Sequence, residues 1–132
     1  FAMASIFLIE DEKLIRTALD KGLTSVGHSV RCAANGREGL AMYQAEAADV
    51  VITDIVMPVM DGLEAIQAIL ALDPQATIIA MSGSSSGSTG YDYLTAARKF
   101  GAARTLPKPT GVRVLREIIE ELLAAKPETS TA

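Results

Sequence analysis

The chain has 132 residues, 49% hydrophobic and 21% charged, with a formal net charge of −4 at pH 7. This composition excludes an intrinsically disordered chain, which has too few apolar residues to form a core, and the acidic balance argues against a nucleic-acid-binding surface. The sequence has no apolar run of about 18 residues, as a membrane span requires, and Cys32 is its single cysteine, so we expect a cytoplasmic protein without an internal disulfide.

Short apolar runs recur along the chain at regular spacing. Three of them are continuous and rich in β-branched residues, which is typical of strands buried on both faces of a parallel sheet. The other two are shorter or more mixed, as at the edge of a sheet. The predicted strands cover residues 6–9, 29–33, 50–53, 77–81 and 104–106, and Pro107 ends the last of them.

Helical periodicity fills the gaps between the strands and follows the last one. Local signals mark several helix ends, such as Asp73-Pro74 and the glycine at position 101. Strand and helix therefore alternate five times, which predicts an α/β fold with a five-stranded parallel sheet between two layers of helices. The predicted helices begin near Asp11, after Asn35-Gly36 and after Asp61-Gly62, and continue with 91–100 and 112–122.

We expect one domain over residues 5–125. We interpret residues 1–4 as residues left from cloning or as a disordered N-terminus, and we expect the native sequence to start near Met3. Residues 126–132 are polar and contain one proline, which is typical of a flexible tail or linker. The Ser- and Gly-rich stretch Ser82–Gly90 predicts a flexible surface loop.

Polar side chains follow four of the five predicted strands. Glu10 and Asp11 come after the first strand, Asp54 after the third, Ser82 after the fourth and Lys108 after the last. Ligands of open parallel sheets bind at the carboxyl ends of the strands, so these groups are predicted to form one site. Clustered carboxylates favour the binding of a divalent cation such as Mg²⁺. A site that combines such a cation with an ammonium group and a hydroxyl group suits the transfer of a phosphoryl group to a carboxylate.

The motifs around these residues resemble those of bacterial response-regulator receiver domains. The resemblance covers about Ser5 to Ala125, and its most specific part is DIVMPVMDG, Asp54–Gly62. It implies a flavodoxin-like fold with strand order 2-1-3-4-5. The other matching motifs are LIEDE at 8–12, Ser82-Gly83 and LPKP at 106–109.

The resemblance also implies a function as a phosphorylation-dependent signalling switch of a two-component system. A histidine kinase or histidine phosphotransfer protein would donate the phosphoryl group to Asp54. A downstream partner or output domain would bind the face formed by residues 91–125. The chain would promote its own phosphorylation and dephosphorylation without being a dedicated enzyme, as a monomer or weak dimer.

Roles for individual residues follow from the same resemblance. Ser82 and Lys108 would contact the phosphoryl group, and the Lys108–Pro109 peptide bond would be cis. The implied Mg²⁺ ligands are Asp11, Asp54 and the backbone carbonyl of Val56, with Glu10 acting through water because its side chain is one methylene longer than the commoner Asp.

Thr105 and Thr110 replace aromatic residues that are usual in the family. Thr105 is small and β-branched, so we expect no aromatic rotamer switch at this position. The output signal is instead predicted to run through the loop Ser82–Gly90 and the helix that follows, where Tyr91 and Tyr93 supply aromatic surface.

Two other function classes remain as alternatives. One is a binding module that keeps the fold without being phosphorylated. The other is an enzyme, either a flavin protein or an aspartate-nucleophile phosphatase. Two features argue against an enzyme: no Gly-rich phosphate loop follows the first strand, and position 56 is Val, where such a phosphatase needs an acidic residue.

Several other conspicuous residues have plainer interpretations. We interpret His28 as a surface loop residue and Cys32 as a small buried hydrophobe. Met57 and Met60 are expected to pack in the core. The basic side chains Arg98, Lys99, Arg113 and Arg116 are interpreted as solvated, with an interaction surface as the second interpretation.

Overall fold

Five strands alternate with five helices in the computed structural model, which describes residues 3–57, 59–83, 93–108 and 110–125. The elements are β1 (Ser5–Ile9), α1 (Lys13–Ser25), β2 (Ser29–Ala33), α2 (Gly36–Ala45), β3 (Val50–Asp54), α3 (Gly62–Leu72), β4 (Ile78–Ser82), α4 (Tyr93–Lys99), β5 (Arg104–Pro107) and α5 (Val112–Ala125).

The strands form one parallel sheet in the order β2-β1-β3-β4-β5. All residues of β3 and β4 are buried, as their continuous apolar runs predict, whereas β2 at the edge alternates in exposure. The predicted α/β fold and the strand order 2-1-3-4-5 are therefore confirmed. This order places β3 beside both β1 and β4, so the groups that follow these strands meet at one edge of the sheet.

Two apolar clusters cover the two faces of the sheet. On one face, Phe7 and Val51 pack with Ile66 of α3 and Ala97 of α4. On the other face, Ile52 and its neighbours pack with residues of α1 and α5, among them Leu19, Leu23, Leu115 and Ile119. The molecule thus has three layers, with α2, α3 and α4 on one side of the sheet and α1 and α5 on the other.

Several helix ends follow the signals in the sequence. The Asp61 carboxylate accepts a hydrogen bond from the Glu64 N–H, and the Glu64 side chain accepts one from the Asp61 N–H, which forms a capping box for α3. Asn35 caps α2 in the same way through the Glu38 N–H. Gly101 follows α4 with a φ of +117°, which glycine adopts without strain.

Some boundaries differ from those expected. Helix α1 begins at Lys13, with Glu12 at its N-cap, and β5 includes Pro107, which pairs with Ser82 as the last residue of an edge strand. Helix α4 is described from Tyr93 onward, so the predicted start at Tyr91 lies outside the described residues. Residues 1–2, 84–92 and 126–132 also lie outside them.

The interpretation of His28 as a surface residue is wrong. Its side chain is buried, and its Nδ1 accepts a hydrogen bond from the Ala4 N–H at 3.1 Å. The residue lies just before β2 and ties this end of the strand to the chain that enters β1. Its environment is set by a contact 24 positions away in sequence, which local composition does not reveal.

Cys32 is half-buried rather than fully buried, and its environment is partly polar. It packs at the rim of the apolar cluster beneath α1, and its thiol donates to Asp20 Oδ2 at 3.6 Å. Burial and the nearby carboxylate raise the pKa of this thiol to about 11. Cys32 is therefore a poor nucleophile at neutral pH.

Other side-chain predictions agree with the structure. Met57 is buried in the core, and Arg113 is solvated. Arg98 is exposed as well, and its Nη2 donates to the Thr105 hydroxyl of β5 at 3.2 Å. None of the described helices is both long enough and apolar enough to cross a bilayer.

Candidate functional site

Asp54 is the last residue of β3 and lies near the middle of the sheet edge. The residue is 5% exposed, and its carboxylate oxygen Oδ1 accepts a hydrogen bond from the Ile55 N–H at 2.8 Å. The chain then turns so closely that the Gly62 N–H donates to the Ile55 carbonyl at 2.7 Å. The start of α3 therefore supports the turn that orients Asp54.

Lys108 reaches across the sheet edge from the end of β5. Its Nζ lies 3.0 Å from Glu10 Oε1 and 3.0 Å from Asp54 Oδ2, and its side chain is only 14% exposed. Its backbone N–H donates to the Ser82 carbonyl at 2.8 Å, which continues the pairing of β4 and β5 beyond the last strand residue. One ammonium thus links the ends of β1 and β3.

Glu10 is fully buried, and both of its carboxylate oxygens are engaged. Oε1 accepts from Lys108, and Oε2 accepts from the Glu12 N–H at 3.0 Å. The Glu10 carbonyl accepts a hydrogen bond from Arg16 Nη1 at 2.8 Å, a contact that the sequence analysis missed. The sequence feature that could have revealed this contact is the basic residue Arg16, which lies one turn into α1.

Three carboxylates form an oxygen-rich cluster at this edge. Ligand atoms of Glu10, Asp11 and Asp54 all lie within 4.8 Å of one another. With one ammonium among them, the cluster has two negative charges in excess when all four groups are ionised. Its donor set and its charge fit a hard divalent cation such as Mg²⁺.

Burial raises the pKa of Asp54 above its usual value, even though Lys108 and the Ile55 N–H stabilise the carboxylate. Burial likewise raises the pKa of Glu10. Burial alone would lower the pKa of Lys108, but its hydrogen bonds to Glu10 and Asp54 outweigh that effect and raise it. The ammonium therefore stays charged at neutral pH, whereas burial disfavours the charged forms of Glu10 and Asp54.

The structure brings together most of the predicted site residues. Ser82 is buried beside the site, one residue beyond the β4 residue that pairs with Asp54, and its hydroxyl donates to the Gly83 carbonyl at 3.4 Å. Val56 is exposed at the mouth of a cavity that Asp54 and Lys108 also line. The predicted cis bond involves Pro109, which lies outside the described residues.

The sequence profile of the response regulator receiver domain matches residues 6–120, nearly the whole described chain. The chain belongs to this family. It is a receiver domain of two-component systems, as its motifs indicate. Receiver domains bind Mg²⁺ in an acidic pocket, and the carboxylate cluster of this receiver domain lies at the corresponding edge of the sheet.

Known relatives of this receiver domain include longer regulatory proteins. It is 34% identical to the C4-dicarboxylate transport transcriptional regulatory protein DctD of Rhizobium meliloti, over 91% of the chain and 27% of that protein. It is 34% identical to the transcriptional regulatory protein AfsQ1 of Streptomyces coelicolor, over 98% of the chain and 55% of that protein. The chain thus spans from about a quarter to about half of the length of these relatives.

A solved structure of similar length shows the same fold. The chemotaxis response regulator CheY4 of Vibrio cholerae is 28% identical, with a TM-score of 0.79, over 92% of this receiver domain and 99% of that chain. The likeness therefore covers the whole architecture that positions the site.

Proposed function

We propose that this receiver domain is a cytoplasmic signalling switch that accepts a phosphoryl group on Asp54 from the phosphohistidine of a kinase or phosphotransfer protein. The observation that carries the proposal is the position of the Asp54 carboxylate, fixed by the Ile55 N–H and 3.0 Å from the Lys108 ammonium. A carboxylate oxygen and a buried cation at one sheet edge suit attack on phosphorus and neutralisation of the oxygens of the transferring group.

The transfer step requires little movement of the chain's own residues. An Asp54 oxygen forms the new bond to phosphorus, the phosphorus–nitrogen bond breaks, and its electron pair stays on the imidazole of the donor. Lys108 pairs with a phosphoryl oxygen and thereby exchanges one anionic partner for another. Ser82, at the end of the next strand, is the candidate hydroxyl donor to the same group.

A metal ion fits the three carboxylates, and we assign its ligands as Asp11, Asp54 and the Val56 carbonyl. When bound, Mg²⁺ supplies positive charge to the phosphoryl oxygens. Glu10 is assigned an indirect role, through water, because Lys108 and the Glu12 N–H already engage both of its oxygens.

The downstream partner is proposed to bind the face formed by α4, β5 and α5. Phe100, directly after α4, and Val114, in α5, have exposed apolar side chains. Thr105 has no aromatic ring to move, but its hydroxyl bond to Arg98 couples β5 to α4. The predicted route through the loop Ser82–Gly90 falls largely on residues outside those described and stays a prediction.

Incubation with acetyl phosphate and Mg²⁺ tests the proposed function. We expect the intact protein to gain the mass of one phosphoryl group, and we expect Asp54→Asn, a variant with nearly the same shape, to gain none. EDTA should prevent the gain in the wild type. No gain in the wild type would favour the alternative, a binding module that is not phosphorylated.

The ligand assignment predicts a ranking of Mg²⁺ affinities. Asp11→Asn and Asp54→Asn should each weaken Mg²⁺ binding by about tenfold or more, since each removes a direct charged ligand and about 1.4 kcal/mol corresponds to tenfold. Glu10→Gln should have a smaller effect. Isothermal titration calorimetry measures all three, and equal losses would contradict the ranking.

The phosphoryl group is predicted to be long-lived. Hydrolysis needs a water molecule in line with the bond between phosphorus and the Asp54 oxygen, and the exposed neighbour Val56 has no polar atom in its side chain to hold one. Val56→Asn should shorten the lifetime several-fold, measured by the decay of the phosphorylated mass after the donor is removed. Val114→Asn, at an exposed apolar position in α5, is the control and should leave the lifetime unchanged.

A further inference from the structure

Arg16, in the first turn of α1, is a charged residue that the proposed chemistry does not use. Its Nη1 donates to the Glu10 carbonyl at 2.8 Å and to the Asp11 carbonyl at 3.4 Å. In the described part of the chain its guanidinium forms no ion pair, although three carboxylates cluster at the same edge of the sheet. Arg16 also does not line the cavity that Asp54 and Lys108 share. It therefore contacts the backbone of the site and not the reacting groups.

The two carbonyls belong to the peptide groups on either side of the Asp11 Cα. Because each peptide group is planar, holding both of them fixes the two dihedral angles of Asp11. The second peptide group is also held at its other end, since the Glu12 N–H donates to Glu10 Oε2 at 3.0 Å. One guanidinium thus sets the direction in which the Asp11 side chain leaves the chain.

Asp11 depends on its backbone more than the other two carboxylates of the cluster do. Asp54 Oδ1 accepts a hydrogen bond from the Ile55 N–H, and Glu10 Oε1 accepts one from Lys108. Among the residues that the structure describes, no group donates to the Asp11 carboxylate or forms an ion pair with it. Its place in the cluster is therefore set by the backbone that Arg16 holds.

We propose that Arg16 is a positioning residue for Mg²⁺ binding, which holds the backbone of Asp11 so that its carboxylate meets the other two. The inference rests on the proposed function, which assigns Asp11 as a metal ligand. Two effects of the guanidinium on Mg²⁺ have opposite signs. Its positive charge repels the cation, so losing the charge alone would strengthen Mg²⁺ binding. Losing the contacts that orient a ligand would weaken it.

Arg16→Met removes the charge and the contacts together and keeps much of the aliphatic side chain. We expect its Mg²⁺ affinity, measured by isothermal titration calorimetry without a phosphodonor, to fall about tenfold. This is the lower end of the range for groups that orient metal ligands, because the lost repulsion offsets part of the effect. Arg104→Met is the matched control, since the Arg104 guanidinium donates to Glu121 at 2.9 Å from the start of β5, at the opposite end of that strand from the site. The control should not weaken Mg²⁺ binding.

The Mg²⁺ dependence of phosphorylation separates positioning from a general loss of structure. With acetyl phosphate, Arg16→Met should need about tenfold more Mg²⁺ for half of its maximal rate, and that maximal rate should stay near the wild-type value. Urea unfolding shows whether the variant is folded. If it is not, Arg16→Lys takes its place, because lysine keeps the charge but its side chain ends one bond earlier. The same direction of change in Mg²⁺ affinity is then expected.

Each outcome decides the proposal. Mg²⁺ binding by the Arg16 variant that equals or exceeds that of the wild type overturns it and leaves the proposed function standing. An equal loss in Arg104→Met also overturns it, since the effect would not be local. If the wild type binds Mg²⁺ but gains no phosphoryl mass, the proposed function fails and calorimetry still decides the role of Arg16. If the wild type binds no Mg²⁺, the metal assignment and the role of Arg16 fail together.

Discussion

Lys108→Met is expected to lower the free energy of unfolding by about 3 kcal/mol at pH 7 without Mg²⁺. Removing one partner of a buried ion pair costs about 3–5 kcal/mol. Proton uptake by the carboxylates that are left will offset part of this cost. The wild-type ammonium lies 3.0 Å from both the Glu10 and the Asp54 carboxylates, which are almost entirely buried. Met keeps much of the side-chain volume, so the loss reports the charge.

The pH dependence of this loss has a definite sign. Burial already raises the pKa of both carboxyl groups in the folded protein, and losing the ammonium raises them further. A group with a raised pKa when folded destabilises the folded state as pH rises and it ionises, so the deficit of the variant should shrink at pH 5. Mg²⁺ should also shrink it, because the cation offsets the same repulsion.

Urea unfolding at pH 7 and pH 5, with and without Mg²⁺, measures these effects. Arg113→Met is the matched control, since the Arg113 guanidinium forms an exposed ion pair with Glu117, four residues later in α5. Such a pair contributes less than about 1 kcal/mol. A deficit for Lys108→Met that matched the control, or that did not change with pH, would contradict the electrostatic account of the site.

Gly62→Ala is expected to destabilise the protein by about 3 kcal/mol and to slow phosphorylation of Asp54. A Cβ at this position would collide with the Asp54 carbonyl oxygen and lie 2.6 Å from Ile55 Cα. Both obstacles are backbone atoms that cannot rotate away, so α3 or the end of β3 must shift. Overpacking of this kind costs about 1–3 kcal/mol and occasionally more.

Gly111→Ala is the control for this substitution. Gly111 also lies at the start of a helix, but nothing is within 4 Å of the Cβ it would gain. Its carbonyl accepts the Leu115 N–H of the first turn of α5, so the cost should be limited to that of a poorer N-cap, about 1 kcal/mol or less. Equal urea midpoints for Gly62→Ala and the wild type would show that the close approach of Gly62 to the backbone of Asp54 and Ile55 is not needed to keep the site in place.

The fold was predictable from the sequence because its strongest signals are local. The runs 50–52 and 78–81 are apolar throughout because both faces of the central strands are covered by helices, and Asp61-Gly62 starts α3 through a capping box. His28 was misjudged because its burial depends on Ala4, which lies far away in sequence, and Cys32 because its polar neighbour, Asp20, comes from another element.

The site was only partly predictable for the same reason. Strand order places the groups after β1, β3, β4 and β5 at one edge, so their association followed from topology. The direct contact of Lys108 with both Glu10 and Asp54 did not, since it depends on the path of a side chain from position 108 to position 10.

The central claim is that Asp54 is the residue that carries the phosphoryl group. Brief reaction with acetyl phosphate and Mg²⁺, followed by borohydride, reduces an aspartyl phosphate to homoserine, and tandem mass spectrometry of the resulting peptides locates the change. The account predicts homoserine at position 54 and at no other aspartate. Conversion at Asp11 or another position in place of 54, or no conversion despite a phosphorylated intact mass, would contradict it.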